Sequence, residues 1–280
     1  IHSPQILMLS GVGDPTHLTK HNIETKVQLN GVGQNLQDRP DYVSCYKVND
    51  ASLYGLSPSG IWHMSKQLIK YLTTRKGMFS SNFAETGGIL KTAPELSRPD
   101  IQFHFVIAAV KDHARDWRTA LLHGFSNHIC VLRPYSKGSI TLNSNDPFDS
   151  PIIDTNFMAD ERDRQTLLKG IKLSNQIINN EHLQKYEPAP LNDDLTFDED
   201  VLFEKIKAHT DTVYHPVGTC KMGLEEEPDA VVSPTLKVIG VTGLRVVDAS
   251  IFPNLIGGNT NAPTIMVAER AADFMLAENS

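Results

Sequence analysis

A chain of 280 residues that is 40% hydrophobic and 21% charged, with no repeat and no low-complexity run, has an ordinary globular composition and ample core for one large domain or two small ones. Its net charge of −7 argues against nucleic acid or an anionic membrane surface as partner. No apolar run approaches the roughly 18–20 residues that span a bilayer, and Cys45, Cys130 and Cys220 have neither metal-ligand spacing nor the number for a disulfide framework, so no metal site is expected.

The chain opens at Ile1-His2-Ser3-Pro4, without an initiator methionine. Ser3 to Leu9 reads as a short helical turn, and Gly11-Val12-Gly13 as a tight turn. Gly33 to Pro40, Gly-Gln-Asn-Leu-Gln-Asp-Arg-Pro, is polar and loop-like. Ile61 to Tyr71 predicts a helix, and Gly77 to Gly88 a loop of small residues. Ile101-Gln102-Phe103-His104-Phe105 alternates as a half-buried strand, with Gln102 and His104 opposite the apolar side chains. By pattern His104 faces a cavity or is a satisfied structural histidine, and the pattern alone favours the second.

Ile129 to Leu132 and Ser139 to Leu142 read as neighbouring strands around a hairpin turn at Pro134–Gly138. Asp160 is placed to cap a helix running to about Asn179, with Leu167, Leu168, Ile171, Ile177 and Ile178 as its apolar side. A second helix, about Asp198 to Thr210, leads to Tyr214-His215-Pro216-Val217-Gly218-Thr219-Cys220-Lys221-Met222-Gly223, and Leu224 to Pro228 is an acidic surface loop.

The stretch Leu244 to Leu276 has the most internal organisation. A short apolar β-run (Leu244, Val246, Val247) passes Asp248 and enters a loop holding Gly257, Gly258, Asn259 and Asn261. Pro263 marks the first helical position of a closing helix, and Ile265, Ala268, Ala272 and Met275 form its buried stripe. The loop therefore delivers polar groups to a helix N-terminus, whose unpaired N–H groups attract negative charge. By itself this is equally an ordinary strand–loop–helix packing unit. Nowhere is there a Gly-x-Gly-x-x-Gly following a strand, the usual cradle for a dinucleotide pyrophosphate.

Three motifs, in order, resemble the glucose–methanol–choline (GMC) oxidoreductase family: Ser3 to Gly13, Tyr214 to Gly223, and Leu244 to Leu276. The details look most like the insect and animal branch, glucose dehydrogenase-like. The resemblance implies an α/β chain, α+β overall: part of a Rossmann-like FAD-binding domain plus a substrate domain with a mainly antiparallel sheet covered by helices. Residues 1–42 would close the N-terminal FAD-binding module, 43–230 would form the substrate domain (its C-terminal GMC module from about 133), and 231–280 would return to the FAD-binding part. The glycine-rich loop would lie in an N-terminal half of the same enzyme, which makes the chain read as a fragment.

The implied activity is FAD-dependent oxidation of the CH–OH group of an alcohol. A flavin takes the hydride, which no side chain can do, and the protein must supply a base for the hydroxyl proton. His215 stands where the family keeps its active-site histidine and is the expected general base. Asn261, at a position the family fills with His or Asn, is expected to hold the substrate oxygen. The segment Asn261-Ala262-Pro263-Thr264 would face the flavin, and Asp248 and Ala249 would reach the cofactor's phosphates through backbone N–H groups, since a carboxylate would repel them. His104 and Val213 are the expected substrate contacts. The electron acceptor would be oxygen or a quinone-like compound, and secretion is the family-favoured location. Arg39 replaces the histidine of the family's Gln-Asp-His-Pro, which unsettles any flavin or substrate contact there and sets a positive charge near a cationic substrate such as choline. A hydroxynitrile lyase and a non-catalytic binding protein of the same fold are the alternatives.

Overall fold

Residues 40–47, 101–106 and 124–131 are rich in the β-branched and aromatic side chains that suit extended backbone. The computed structural model, which describes residues 1–111, 115–191 and 199–278, pairs them in one sheet. The chain divides into two compact units. One comprises Ile1–Arg39, Leu132–Asp160 and Thr212–Ser280, and the other Pro40–Val131 and Glu161–Asp211.

The second unit is built on antiparallel strands in the order Pro40–Lys47, Gly124–Val131, Ile101–Val106, Ala84–Leu90. The two-residue strand Ala189–Pro190 pairs with the outer edge of Pro40–Lys47, the edge that also takes Asp211–Thr212. The helix Glu161–Ile178 covers the sheet, and Leu167, Leu168, Ile171 and Ile178 are its buried apolar residues. It comes close because Gly170 has no side chain: a Cβ there would stand 2.8–3.1 Å from Ile101 and Ile129. The mixed α/β class and the mainly antiparallel, helix-covered sheet agree with expectation.

The first unit gathers three distant segments around one core that includes Leu7, Leu36, Ile140, Val217, Ile251 and Val267. The helix His2–Leu9 leads to Val12–Gly13, which pairs in parallel with Val27–Gln28. Gly11 and Gly33 sit at φ +84° and +80°, a region where a side chain is strained. The segment 36–37 is held on both sides, Leu36 exchanging backbone hydrogen bonds with Gly138 and Gln37 with Val217.

Several expected elements are corrected. The expected hairpin about Pro134–Gly138 does not form. Gly124–Val131 is hydrogen-bonded on both edges, to Pro40–Lys47 and Ile101–Val106, so it cannot also take Ser139–Thr141, which pairs with Ile152–Asp154 instead. The loop expected through Gly88 gives way to strand Ala84–Leu90, where pairing with Ile101–Val106 overrides the poor strand propensity of Gly87 and Gly88. Leu244 to Val247 forms a single bridge, Lys237 to Arg245, and no longer strand. The closing helix spans Asn261–Glu278, two residues earlier than Pro263 suggested. Its buried residues are Val267 and Ala271, whereas Ile265 and Met275 of the expected stripe are exposed. Both stripes are apolar at helical spacing, and only the packing chooses between them. The helix expected from Asp198 runs Glu199–His209, with Asp198 outside the described residues.

Candidate active site

His215 is held by its backbone before its ring is considered. Tyr214 adopts φ +66°, an uncommon conformation for a non-glycine residue, and its N–H is taken by Thr212 Oγ1 at 2.7 Å. The N–H of His215 is taken by Asp38 Oδ1 at 3.0 Å. The same oxygen accepts from Arg39 N at 2.8 Å, and Asp38 Oδ2 accepts from Thr212 Oγ1. One carboxylate thus pins the chain on both sides of the site. Burial pushes that carboxyl above its usual range, against the opposing hydrogen bonds from Thr212, Arg39 and His215.

Arg39 is fully buried. Its Nε donates to Leu132 O at 3.2 Å, and its Nη2 donates to Ile256 O at 2.7 Å and Gly258 O at 2.5 Å. Its Nη1 lies 3.4 Å from His215 Nδ1. A cation surrounded by carbonyl oxygens can be buried where a lone charge could not. Arg39 therefore joins the His215 ring to the loop that enters the closing helix at Asn261. In the sequence Arg39 stood out only as a departure from a pattern. What would have found its role is its length: it reaches carbonyls that a histidine at the same Cα would not.

The other expected positions fall as follows. Val213 donates its N–H to Arg39 O at 3.3 Å and is half-buried. Asn261 and Ala262 are exposed at the start of the helix, with Pro263 and Thr264 half-buried, and Thr264 bonds back to Thr260 O through N–H and hydroxyl. Asp248 caps the short helix Ala249–Ile251 through Ser250 N at 2.7 Å and accepts from Ser3 Oγ at 2.5 Å. Burial raises the Asp248 carboxyl, but these hydrogen bonds outweigh it and hold the group below its usual range. The motif after His215 is zipped to this turn: Gly218 N, Cys220 N and Met222 N donate to the carbonyls of Ala249, Ser250 and Ile251. His215, Val213, Asp248, Ala249 and Asn261–Thr264 thus belong to one unit.

His104 belongs to the other unit, in mid-strand opposite His128 and Gly87. His128 Nδ1 lies 2.6 Å from Asp41 Oδ2, a pair not anticipated from sequence. His104 stood out in the sequence because it falls in the alternating run Ile101–Phe105, whereas Asp41 and His128 lie outside the runs that read as strands.

Residues 134–268 match the GMC oxidoreductase family over its C-terminal part. These residues are a GMC oxidoreductase C-terminal domain. The chain is 42% identical, over 99% of its length, to an alcohol dehydrogenase [acceptor] of Pseudomonas putida, and 38% identical to an oxygen-dependent choline dehydrogenase of Rhizobium rhizogenes. It covers 50% of each, so the chain spans about half the length of these relatives. Among solved structures, a formate oxidase of Aspergillus oryzae, studied for its FAD modification, superposes with a TM-score of 0.86 at 27% identity, over 99% of this chain and 52% of that one. The GMC resemblance read from three motifs therefore extends along the whole chain.

A GMC flavin fits the residues present. The first turn of the helix Asn261–Glu278 exposes Asn261 and Ala262, whose N–H groups have no partner within a helix at that position. A Cβ at Gly258 would meet nothing within 4 Å, so the preceding loop is open there.

Proposed function

We propose that the protein is an FAD-dependent oxidoreductase acting on the CH–OH group of an alcohol, with this chain supplying the groups that handle the alcohol's oxygen and proton. The observation that carries the reading is the 42% identity to an alcohol dehydrogenase [acceptor] along 99% of the chain. FAD, when bound, would accept the hydride. Asn261 to Thr264 would hold its anionic edge at the helix N-terminus, a contribution of about 0.3–1 kcal/mol, and up to about 2 kcal/mol where partly buried. Asn261 would orient the substrate oxygen, and the imidazole of His215 would take its proton as general base. Asp248 and Ala249 would face the cofactor's phosphates through the backbone, which suits a carboxylate already occupied by Ser3 and Ser250. His104 and Val213 are proposed substrate contacts. The acceptor is oxygen or a quinone-like compound. The dehydrogenase and oxidase names of the relatives favour redox chemistry over a lyase or a bare binding protein. Placement in the insect or animal branch rests on motif detail alone, and the relatives named above are two bacterial proteins and one fungal one.

One contact supports a second reading of His215. Arginine can only donate, so a neutral His215 that accepts from Arg39 at Nδ1 carries its own proton on Nε2. In that tautomer His215 donates a hydrogen bond to the substrate oxygen and does not remove its proton. Two substitutions separate the readings in anaerobic flavin reduction by an alcohol series. His215→Ala is expected to slow reduction roughly 10²–10⁴-fold if His215 is the base. His215→Gln, which can donate but cannot take up a proton, should be as slow as His215→Ala under the first reading and much faster under the second. Flavin reduction within a few-fold of wild type in His215→Ala would remove His215 from the chemistry altogether.

A further inference from the structure

From Ala51 to Ala84 the chain contains no carboxylate, while Lys66, Lys70, Arg75 and Lys76 give it four fixed positive charges. The helix Pro58–Thr74 lies within this run. It is tied down at a few points: Ser57 Oγ caps Gly60 N at 3.0 Å and lies 2.7 Å from His123 Nε2, and Met78 N donates to Gln67 Oε1 at 3.4 Å. Gly60, packed on His123, is its buried residue.

The helix's apolar stripe points the wrong way for a globular core. Ile61, Leu68, Ile69 and Leu72 recur at i, i+7, i+8 and i+11, and with Trp62 they are 45–64% exposed. An ordinary surface helix turns such a stripe inward. Lys66 Nζ lies 4.8 Å from the centre of the Trp62 ring, so cation and indole share one edge of the stripe, and Lys70 follows Lys66 one turn on, over Gly77. Among the described residues no helix is long and apolar enough to cross a bilayer, so any contact with lipid by these helices is in the plane of the interface.

We propose that the helix Pro58–Thr74 docks, apolar face down, on a bilayer surface containing anionic lipid. An apolar face alone would suit another protein equally well. A stripe with a lysine and a tryptophan along one edge, in a segment without carboxylates, matches the boundary between acyl chains and negatively charged headgroups. The net charge of −7 is a property of the whole chain and hides this segment, whose own fixed charge is +4. A sum over the sequence cannot exclude a surface that the fold builds from one helix.

The test is cosedimentation of the intact protein with vesicles of phosphatidylcholine, alone or with a quarter phosphatidylglycerol. Binding is expected to the anionic vesicles, to weaken with salt, and to fall at least about tenfold in Lys66→Glu/Lys70→Glu, since each basic residue near such a surface is worth about fivefold in partitioning. Ile69→Glu, at an exposed position and so compatible with folding, is expected to abolish it. Equal binding to both vesicle types, or none to either, overturns the proposal. So does a concentration-dependent dimer in sedimentation velocity that Ile69→Glu dissolves, because the face then belongs to a second copy.

Discussion

Asp38 accepts three hydrogen bonds around His215, two from backbone N–H groups and one from Thr212. Asp38→Ala strands those N–H groups and is expected to cost about 2–3 kcal/mol in urea denaturation, because an unsatisfied buried donor loses its full desolvation energy. Asp38→Asn keeps an acceptor oxygen and should cost less, with a pH dependence whose sign is fixed. Burial raises the Asp38 carboxyl, so ionisation penalises the folded state above the folded pKa, and the penalty disappears as pH falls through that value. Relative to wild type, Asp38→Asn should therefore look better near neutral pH than in mild acid. The opposite order would show that hydrogen bonding outweighs burial at Asp38. Asp248 has the reverse sign. Its folded value is depressed, so its contribution is fully present above the ordinary carboxylate range and is lost as pH falls through the folded value. Cys45 and Cys220 give a simpler test. Burial pushes both thiols up to about 12, so neither should react with a thiol reagent at neutral pH until the protein unfolds. Rapid labelling of the native protein at either position would contradict their burial.

The helix Glu161–Ile178 was legible from sequence because its leucines and isoleucines repeat at helical spacing and Asp160 precedes it. How closely it approaches the sheet was not, since that depends on Gly170 meeting Ile101 and Ile129, residues far off in the chain. Alanine favours a helix over glycine by about 1 kcal/mol, so propensity alone predicts that Gly170→Ala stabilises. The packing predicts the reverse: Ile101 and Ile129 are fully buried, and overpacking costs typically about 1–3 kcal/mol. Gly170→Ala is expected to lower the thermal midpoint and Gly170→Val to lower it further. A rise in Gly170→Ala would mean that the helix can shift away without loss. The strand Gly124–Val131 makes the same point in a sheet. The sequence reads as extended only from Ile129, nothing local says that both edges of the strand are taken, and the expected hairpin failed for that reason.

At the scale of the molecule, the candidate site draws on residues 38–39, 132, 213–215 and 256–258, all in one unit and scattered through the chain. Asn261, at the end of the loop that Arg39 grips, is the position where the proposed function makes its sharpest demand. Asn261→Ala should slow flavin reduction by the equivalent of about 1–3 kcal/mol, through a lost hydrogen bond to the substrate oxygen. Asn261→His, which can make the same bond, should retain more activity. Equal losses in the two variants would rule out a hydrogen-bonding role.

The sequence by itself determined the elements whose signals are local: the opening helix, the alternation of Ile101–Phe105, the long helix after Asp160, and the three motifs that resemble the GMC family. It placed His215 and Asn261 as candidates because motif residues can be read without knowing what they touch. Tertiary structure decided which of two apolar stripes on the closing helix is buried, where each strand finds its partner, and what Arg39 is for. It turned an odd residue into a buried clamp between His215 and the loop before Asn261. Periodicity shows that a face is apolar, whereas burial depends on what stands opposite it. That information sits in residues a hundred or more positions away, and only the folded chain brings them together.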